Sequence, residues 1–533
     1  MSTTFYSLAL VASWSGASVR TGLISLLSII LLKLCYVRYT RSPWRKLPPG
    51  PQGLPILGNI RQLNDKRWLT SRDCKGTYGD VVYLSALGRS IIVLNSQKAA
   101  ADLLGRRASN YSDRPRFIVA AEILTGGMEV SLIQYGMLWR RMRRAAHEGL
   151  HKSAAKAFNN IQMTEAVLLT SGILESPGRW EMHMRRFTAS MIMTAVYDTP
   201  VIHSLEDESV RRINDHVMRV AHTVLPGSHL VELLPWMKHI PSRFAKWKRT
   251  AEEWFRRDTE MFESLVDSVR TNMAKGTDSP CLSATLIKKQ SRIGLNGLEL
   301  AWLVSTMYGA TSETTTGSMY WWMLAMVAFP ETQRRAQAEL DSVVGRSRVP
   351  SFSDLPNLPY LRAMVKEVLR WRSVLPVGIP HCSLEDDWYE GMFIPKGTMC
   401  LVNVAVCNHD PAIYGDDAGL FDPSRHLDSD GALAPGPPDT QDEGHIVYGF
   451  GKRICLGRHV ANDTMFIAYA VMLWAMKLVP DKDEDGGDIP IDVDGYLDNG
   501  MVHTPLPFSC KITPRFPEAI AILDEERELR GQL

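Results

Sequence analysis

The chain reads as a mainly α protein with a smaller β portion, and three observations say so. Helical periodicity dominates its length. One apolar run, Asn296 to Phe329, is far too long for a strand and is bounded like a helix. Strand-like runs are short and few, at VVYLSALGRSIIVL (residues 81–94) and near TMCLVNVAV (398–406). Length alone, 533 residues, suggests about three domains. With 45% hydrophobic residues and a formal net charge of +2, nothing points to a nucleic-acid partner. No internal repeat is visible. The eight cysteines are scattered, without the paired spacing of a zinc site, which suits a reducing compartment.

From the N-terminus, Met1–Val19 carries no charge and Thr21–Leu32 is nearly all apolar. Lys33, Arg38, Arg41, Arg45 and Lys46 follow. Thr21–Val37 is at the short end of a membrane span, with Lys33 able to snorkel. Positive charge after the apolar stretch argues against a cleaved signal peptide and puts the bulk of the chain on the cytosolic side. The expected organisation is a membrane anchor over 1–40, a Pro/Gly-rich hinge over 41–60 (KLPPGPQGLPILGN at its heart), and one main domain over 61–533. Pro48, Pro49 and Pro51 stiffen the hinge.

The long run opens with Asn296 and Glu299, spaced as a capping pair, and Pro330 is its stop. A helix of this length spans roughly 50 Å. Its middle, YGATSETTTGS, is rich in hydroxyls that compete for backbone carbonyls, and Gly309 weakens it further. A local distortion is expected there. Two acidic stretches, 427–444 and 481–488, read as surface excursions.

Four further features carry chemistry. In WRRMRR, Trp139 and Arg143 share a helix face at i and i+4; alone, this is also a basic solvated face. In EVLR, Glu367 and Arg370 pair at i and i+3, as many surface residues do. FDPSRH places Arg425 after Pro423. In YGFGKRICLGR, Cys455 sits in a glycine-rich loop running into a helix. Gly449 and Gly451 let the backbone pass close under a flat ligand, amides at the helix start favour a thiolate, and Arg453 offers charge to a carboxylate. A lone Cys near Gly is otherwise a small buried hydrophobe.

Together and in this order, these segments resemble the cytochrome P-450 family, and the chain looks most like its fungal membrane-bound members. Tyr448–Gly457 resembles the haem-binding signature, with Tyr448 where Phe is usual. The resemblance implies the P-450 fold, haem b with Cys455 as axial ligand to the iron, and Gly451 in the cofactor loop. It assigns Trp139, Arg143, Arg453 and His381 to the propionates; His381 is also readable as a satisfied loop histidine. It assigns Glu367, Arg370 and Arg425 to the scaffold behind the thiolate. Ala310–Thr314 resembles the family's Ala-Gly-x-acid-Thr stretch, which makes Glu313 and Thr314 catalytic; Thr311 replaces the Gly that permits close approach to the haem.

The activity so implied is insertion of one oxygen atom from O₂ into a lipophilic organic substrate, terpenoid, sterol-like or aromatic, in secondary metabolism or xenobiotic oxidation. No flavin or iron–sulfur motif is visible, so electrons are expected from NADPH through a separate NADPH–cytochrome P-450 reductase. Arg140, Arg144, Lys452 and Arg458 would form its basic docking face. The expected location is the endoplasmic-reticulum membrane, single-pass, with the catalytic domain cytosolic. Substrate-facing residues carried over by position are Phe117, Ile118, Met128, Val304, Met307, Val374, Leu375, Val377, Ile379 and Met501. Two alternatives stand beside this: a haem-thiolate isomerase or dehydratase, and a non-catalytic membrane carrier of haem or lipid. Neither needs the acid–alcohol pair that this chain has.

Overall fold

The computed structural model describes residues 24–34, 36–38, 40–64, 72–225, 227–277, 280–500 and 502–532. The helices that bear on the site are α1 Met137–Leu150, α2 Asn159–Glu175, α3 Trp180–Tyr197, α4 Glu208–Thr223, α5 Lys246–Lys275, α6 Gly297–Ala328, α7 Pro330–Val343, α8 Pro359–Trp371 and α9 Arg458–Ala475. The strands are β1 Val81–Ala86, β2 Arg89–Leu94, β3 His381–Cys382, β4 Asp387–Tyr389, β5 Met392–Ile394, β6 Met399–Val402, β7 Met476–Pro480, β8 Tyr496–Asp498, β9 His503–Pro505 and β10 Cys510–Pro514. The larger sheet runs β1-β2-β6-β3. β1 and β2 form an antiparallel hairpin, β2 pairs in parallel with β6, and β3 closes the edge antiparallel to β6, with His381 opposite Cys400. β7 with β10, β4 with β5, and β8 with β9 form two-stranded ribbons. The run near TMCLVNVAV ends as a strand at Val402, because the Asn403 side chain accepts from Val406 N–H and starts a short helix.

α6 is the axis of the molecule. Asn296 Oδ1 accepts from Glu299 N–H at 2.8 Å and Glu299 accepts from Asn296 N–H at 3.0 Å, a complete capping box. Its first turns, Leu300 to Tyr308, are buried with α1, α3 and α5; Trp302 packs edge-on against Phe262 and His216. Its last turns, Met319 to Val327, are buried with α2, α8 and α9; Trp322 stacks on Tyr469 at 4.2 Å. Truncating such a ring costs about 3–5 kcal/mol. The hydroxyl-rich middle lies between these two cores.

The helix is unbroken there: residues 297–328 are helical throughout. Thr311, Thr314, Thr316 and Ser318 each donate to the carbonyl four residues earlier, at 2.8, 2.7, 2.6 and 2.9 Å. Each hydroxyl thus supplements a backbone acceptor and leaves the ladder intact.

The expected anchor falls mostly outside the described residues. Residues 24–34 are helical and leave apolar side chains such as Leu27, Leu31 and Leu32 exposed. Among the described residues no helix is long and apolar enough to cross a membrane.

Candidate active site

The loop before α9 presents Cys455 to an interior cavity of about 380 Å³, which extends beneath the middle of α6. Cys455 N–H donates to the Tyr448 carbonyl at 2.8 Å, which folds the loop back on itself. Gly449, at φ +73°, lines the cavity. Gly451 does not face it. A Cβ there would stand 2.3 Å from the Leu104 carbonyl, so this glycine allows the loop to press against residues 104–108 instead. The Tyr448 hydroxyl finds its partner in Asn462 Oδ1 at 2.6 Å, and Asn462 donates to Glu443 at 3.1 Å. Burial pushes the Cys455 thiol up from its ordinary value. The amides of Gly457 and Arg458 and the guanidinium of Arg143 oppose that shift without overcoming it. Desolvation outweighs the helix start at this sulfur, and a cation bound to it would favour the charged form.

One edge of the cavity is strongly cationic. Trp139 from α1 lies against the guanidinium of Arg453 at 4.3 Å and that of Arg143 at 5.9 Å. Arg453 donates to the carbonyls of Ser112, Val130 and Ile133. Arg114 donates to those of Ser131, Ile379 and Pro380. His381 on β3 holds its Nδ1 at 2.7 Å from the Tyr111 carbonyl. Burial depresses all four: Arg114 falls well below its usual value, Arg143 and Arg453 to about 10, and His381 to about 3. Asp113 relieves Arg114 and Arg453 only in part. Arg143 makes no hydrogen bond to protein among the described residues. Buried positive charge of this kind calls for an anionic partner. A flat group bearing two carboxylates, with a metal that takes one thiolate, fits the donor set and the glycine-lined floor.

Behind the Cys455 loop, Glu367 and Arg370 on α8 are fully buried. They form a two-pronged pair, 2.7 Å at each contact. Arg370 also donates to the carbonyls of Asn408, Ala418 and Leu420. Arg425 reaches Glu367 at 3.4 Å, and His426 Nε2 reaches the same carboxylate at 2.9 Å. Asp422 N–H adds a further donor at 2.9 Å. Burial opposes the charge on Glu367, but Arg370 and then His426 outweigh it and hold the carboxyl at about 2.

On the opposite wall, Thr311, Glu313 and Thr314 of α6 all line the cavity. Arg185 of α3 stands 3.7 Å from Glu313.

A family model described as cytochrome P-450 matches residues 48–510. The chain belongs to the cytochrome P-450 family. It is 56% identical over 506 residues to a cytochrome P-450 monooxygenase of Armillaria gallica, covering 95% of this chain and 97% of that one. A second from the same fungus is 52% identical, over 95% and 98% of the two chains. A cytochrome P-450 monooxygenase of Postia placenta is 45% identical, over 97% and 98%. These are monooxygenases by name, and the family carries haem iron and takes electrons from a redox partner.

In this P-450 chain the fold brings Trp139, Arg143, His381, Arg453, Cys455, Glu313 and Thr314 to one cavity. Of the substrate-facing positions, Met307, Val374, Leu375 and Ile379 line it. Ile118, Met128 and Val304 are instead buried in core packing, Phe117 packs beside Ala120 and Leu132, Val377 is absent from the lining, and Met501 lies outside the described residues. Sequence reading missed Arg114, Glu129 and His216 on the cavity wall and His426 on Glu367. Only His426 was near a signal, as the residue directly after Arg425 in FDPSRH.

Proposed function

We propose that Cys455 would ligate the iron of a haem b through its thiolate, that Trp139, Arg143, Arg453 and His381 would hold its propionates, and that the cavity takes a lipophilic substrate. The observation that carries this reading is the convergence of one loop thiol and four buried cationic or ring-nitrogen groups on a single cavity. Arg114 belongs with the propionate set. Bound there, the haem supplies reductive activation of O₂ and transfer of one oxygen atom to the substrate. The chain's own residues do the rest. The Glu367–Arg370–Arg425 network fixes the loop that presents the sulfur. Thr314 holds a water and Glu313, oriented by Arg185, feeds it protons, which is general-acid work in a sheltered site. Retention of this acid–alcohol pair favours a monooxygenase over an isomerase, a dehydratase or a carrier.

Electrons come from NADPH through a separate reductase, docking on a face where Arg140, Arg144 and Lys452 are exposed and Arg140 and Lys452 both stand over the Tyr135 ring. The substrate is terpenoid, sterol-like or aromatic, in secondary metabolism or xenobiotic oxidation. The endoplasmic-reticulum membrane is the proposed location, with the anchor over 1–40 and the catalytic domain cytosolic. Supporting it, Leu54, Ile56 and Leu57 in the hinge and Leu230, Leu233, Leu234, Trp236 and Phe244 after α4 are all exposed. Gly58 bridges to Ala86 at the end of β1, and Arg89 at the start of β2 donates to the Glu232 carbonyl, which draws these apolar segments towards the β1–β2 turn. Exposed apolar segments gathered in this way suit contact with lipid.

The test is spectroscopic. The reduced protein with carbon monoxide shows the red-shifted Soret band of thiolate-ligated haem, and Cys455→His abolishes it. An imidazole-type spectrum in the wild-type protein would overturn the assignment.

A further inference from the structure

The cavity is less apolar than its sequence suggests. Glu129, in the segment between β2 and α1, lines it and is only 7% exposed. Ser131 donates to one carboxyl oxygen at 2.8 Å, and Thr306 of α6 faces the other at 3.0 Å. Thr306 also lies 3.0 Å from the Trp302 carbonyl. A hydroxyl has one proton to give, so it satisfies either Trp302 or Glu129. No ion pair involves Glu129 among the described residues. His216 of α4, on the cavity wall, is committed through Nδ1 to Asp258 at 2.8 Å, and Asp258 also receives Arg219 at 2.6 Å. Burial raises the Glu129 carboxyl from its ordinary value.

A buried acid held by Ser131, through its hydroxyl and its backbone N–H, and by one shared hydroxyl is costly without a counter-charge unless something else completes its shell. A purely structural lock would bring a committed cation, as Glu367 has in Arg370. Glu129 has none among the described residues, and it lines the cavity.

We propose that Glu129, seated between Ser131 and Thr306, is the specificity anchor of the substrate cavity and selects a hydroxyl group on an otherwise apolar substrate. This rests on the reading of the cavity as a substrate site above haem. A neutral alcohol matches better than an ammonium, because it can both donate to and accept from an acid that burial keeps from ionising readily. Position adds a length. Thr306 precedes Thr314 by eight residues, about 12 Å along α6. The hydroxyl is therefore held roughly that far from the proton-delivering end, which calls for a skeleton of sesquiterpene length or longer.

Affinities measured by calorimetry on the haem-loaded protein test this, with farnesol, farnesene and farnesylamine as the ligands. Wild-type protein is expected to bind an alcohol about tenfold more tightly than its hydrocarbon, as one net hydrogen bond allows, and more tightly than the amine. Glu129→Leu should level alcohol and hydrocarbon, while Glu129→Gln keeps the preference, because an amide carbonyl still accepts. Glu129→Ala makes the same test at smaller volume if the Leu variant loads no haem. No alcohol preference in the wild type, absence of binding included, overturns the anchor, as does tightest binding of the amine or an unchanged preference in the Leu or Ala variant. The carbon monoxide spectrum of each protein separates the two readings: without a thiolate band in the wild type the haem assignment fails, whereas with the band and no preference only the anchor fails.

Discussion

The two sides of the cavity solve opposite problems. Behind the Cys455 loop, charge is used up: Glu367 takes donors from Arg370, Arg425, His426 and a backbone amide, and Arg370 spends its remaining N–H groups on three carbonyls. Across the cavity, charge is held open. Among the described residues Glu313 has only Arg185, at 3.7 Å, Glu129 shares a donor, and Thr314 has turned its proton back to its own helix. A saturated network is rigid and indifferent to ligand; an unsaturated one is available to water and substrate. The contrast teaches where this chain holds its scaffold still and where it leaves chemistry to happen.

The strongest way to break the contrast is Glu367→Ala. It leaves Arg370 buried without its carboxylate, at a cost of about 3–5 kcal/mol. Little haem-loaded protein should accumulate, read by the carbon monoxide spectrum and thermal melting. Normal haem content would show that the loop does not depend on the network. The same group gives a pH signature. Because Glu367 is held at about 2 in the folded chain, its stabilisation is complete above the ordinary carboxyl range and is lost as pH falls from there towards about 2. In Glu367→Gln that part of the acid limb should flatten in melts run across this window.

Thr314→Ala probes the open side and should leave stability nearly unchanged. Substrate still binds and NADPH is still consumed, but hydrogen peroxide rises and product per NADPH falls. Thr311 lies about one turn earlier on the same cavity wall and can substitute in part. Thr314→Ala alone is therefore expected to uncouple partially and the double variant with Thr311→Gly more fully. Peroxide, product and NADPH are measured in one reaction, and full coupling in the double variant would remove both hydroxyls from proton delivery.

The smallest effect sharpens the thiolate side. Tyr448→Phe restores the ring usual in the family but strips Asn462 of its 2.6 Å partner. A loss of about 1 kcal/mol is expected, as for one buried hydrogen bond, with the thiolate spectrum unmoved. A shifted Soret band would mean that the hydroxyl acts on the sulfur as well.

Sequence alone determined the elements whose signals are local. The strands β1 and β2, the capping pair and stop of α6, and the glycine-rich loop that runs from Cys455 into α9 follow from alternation, capping chemistry and glycine spacing within a few residues of each other. So did the pairing of Glu367 with Arg370, one helical turn apart. Tertiary structure decided what depends on distant segments. Whether that pair is buried turns on the loops around Asn408, Ala418 and Leu420, which sequence spacing does not place. The helix-start field at Cys455 was legible, but its defeat by desolvation was not, because burial is a property of the packed chain. Gly451 looked like part of the floor until Leu104, more than three hundred residues away, was found pressing on it. Arg114, Glu129 and His216 belong to no motif. They become a site only because α4 and α6, β3 and the segment before α1 meet around one cavity, and isolated polar residues acquire chemical meaning only from what the fold sets opposite them.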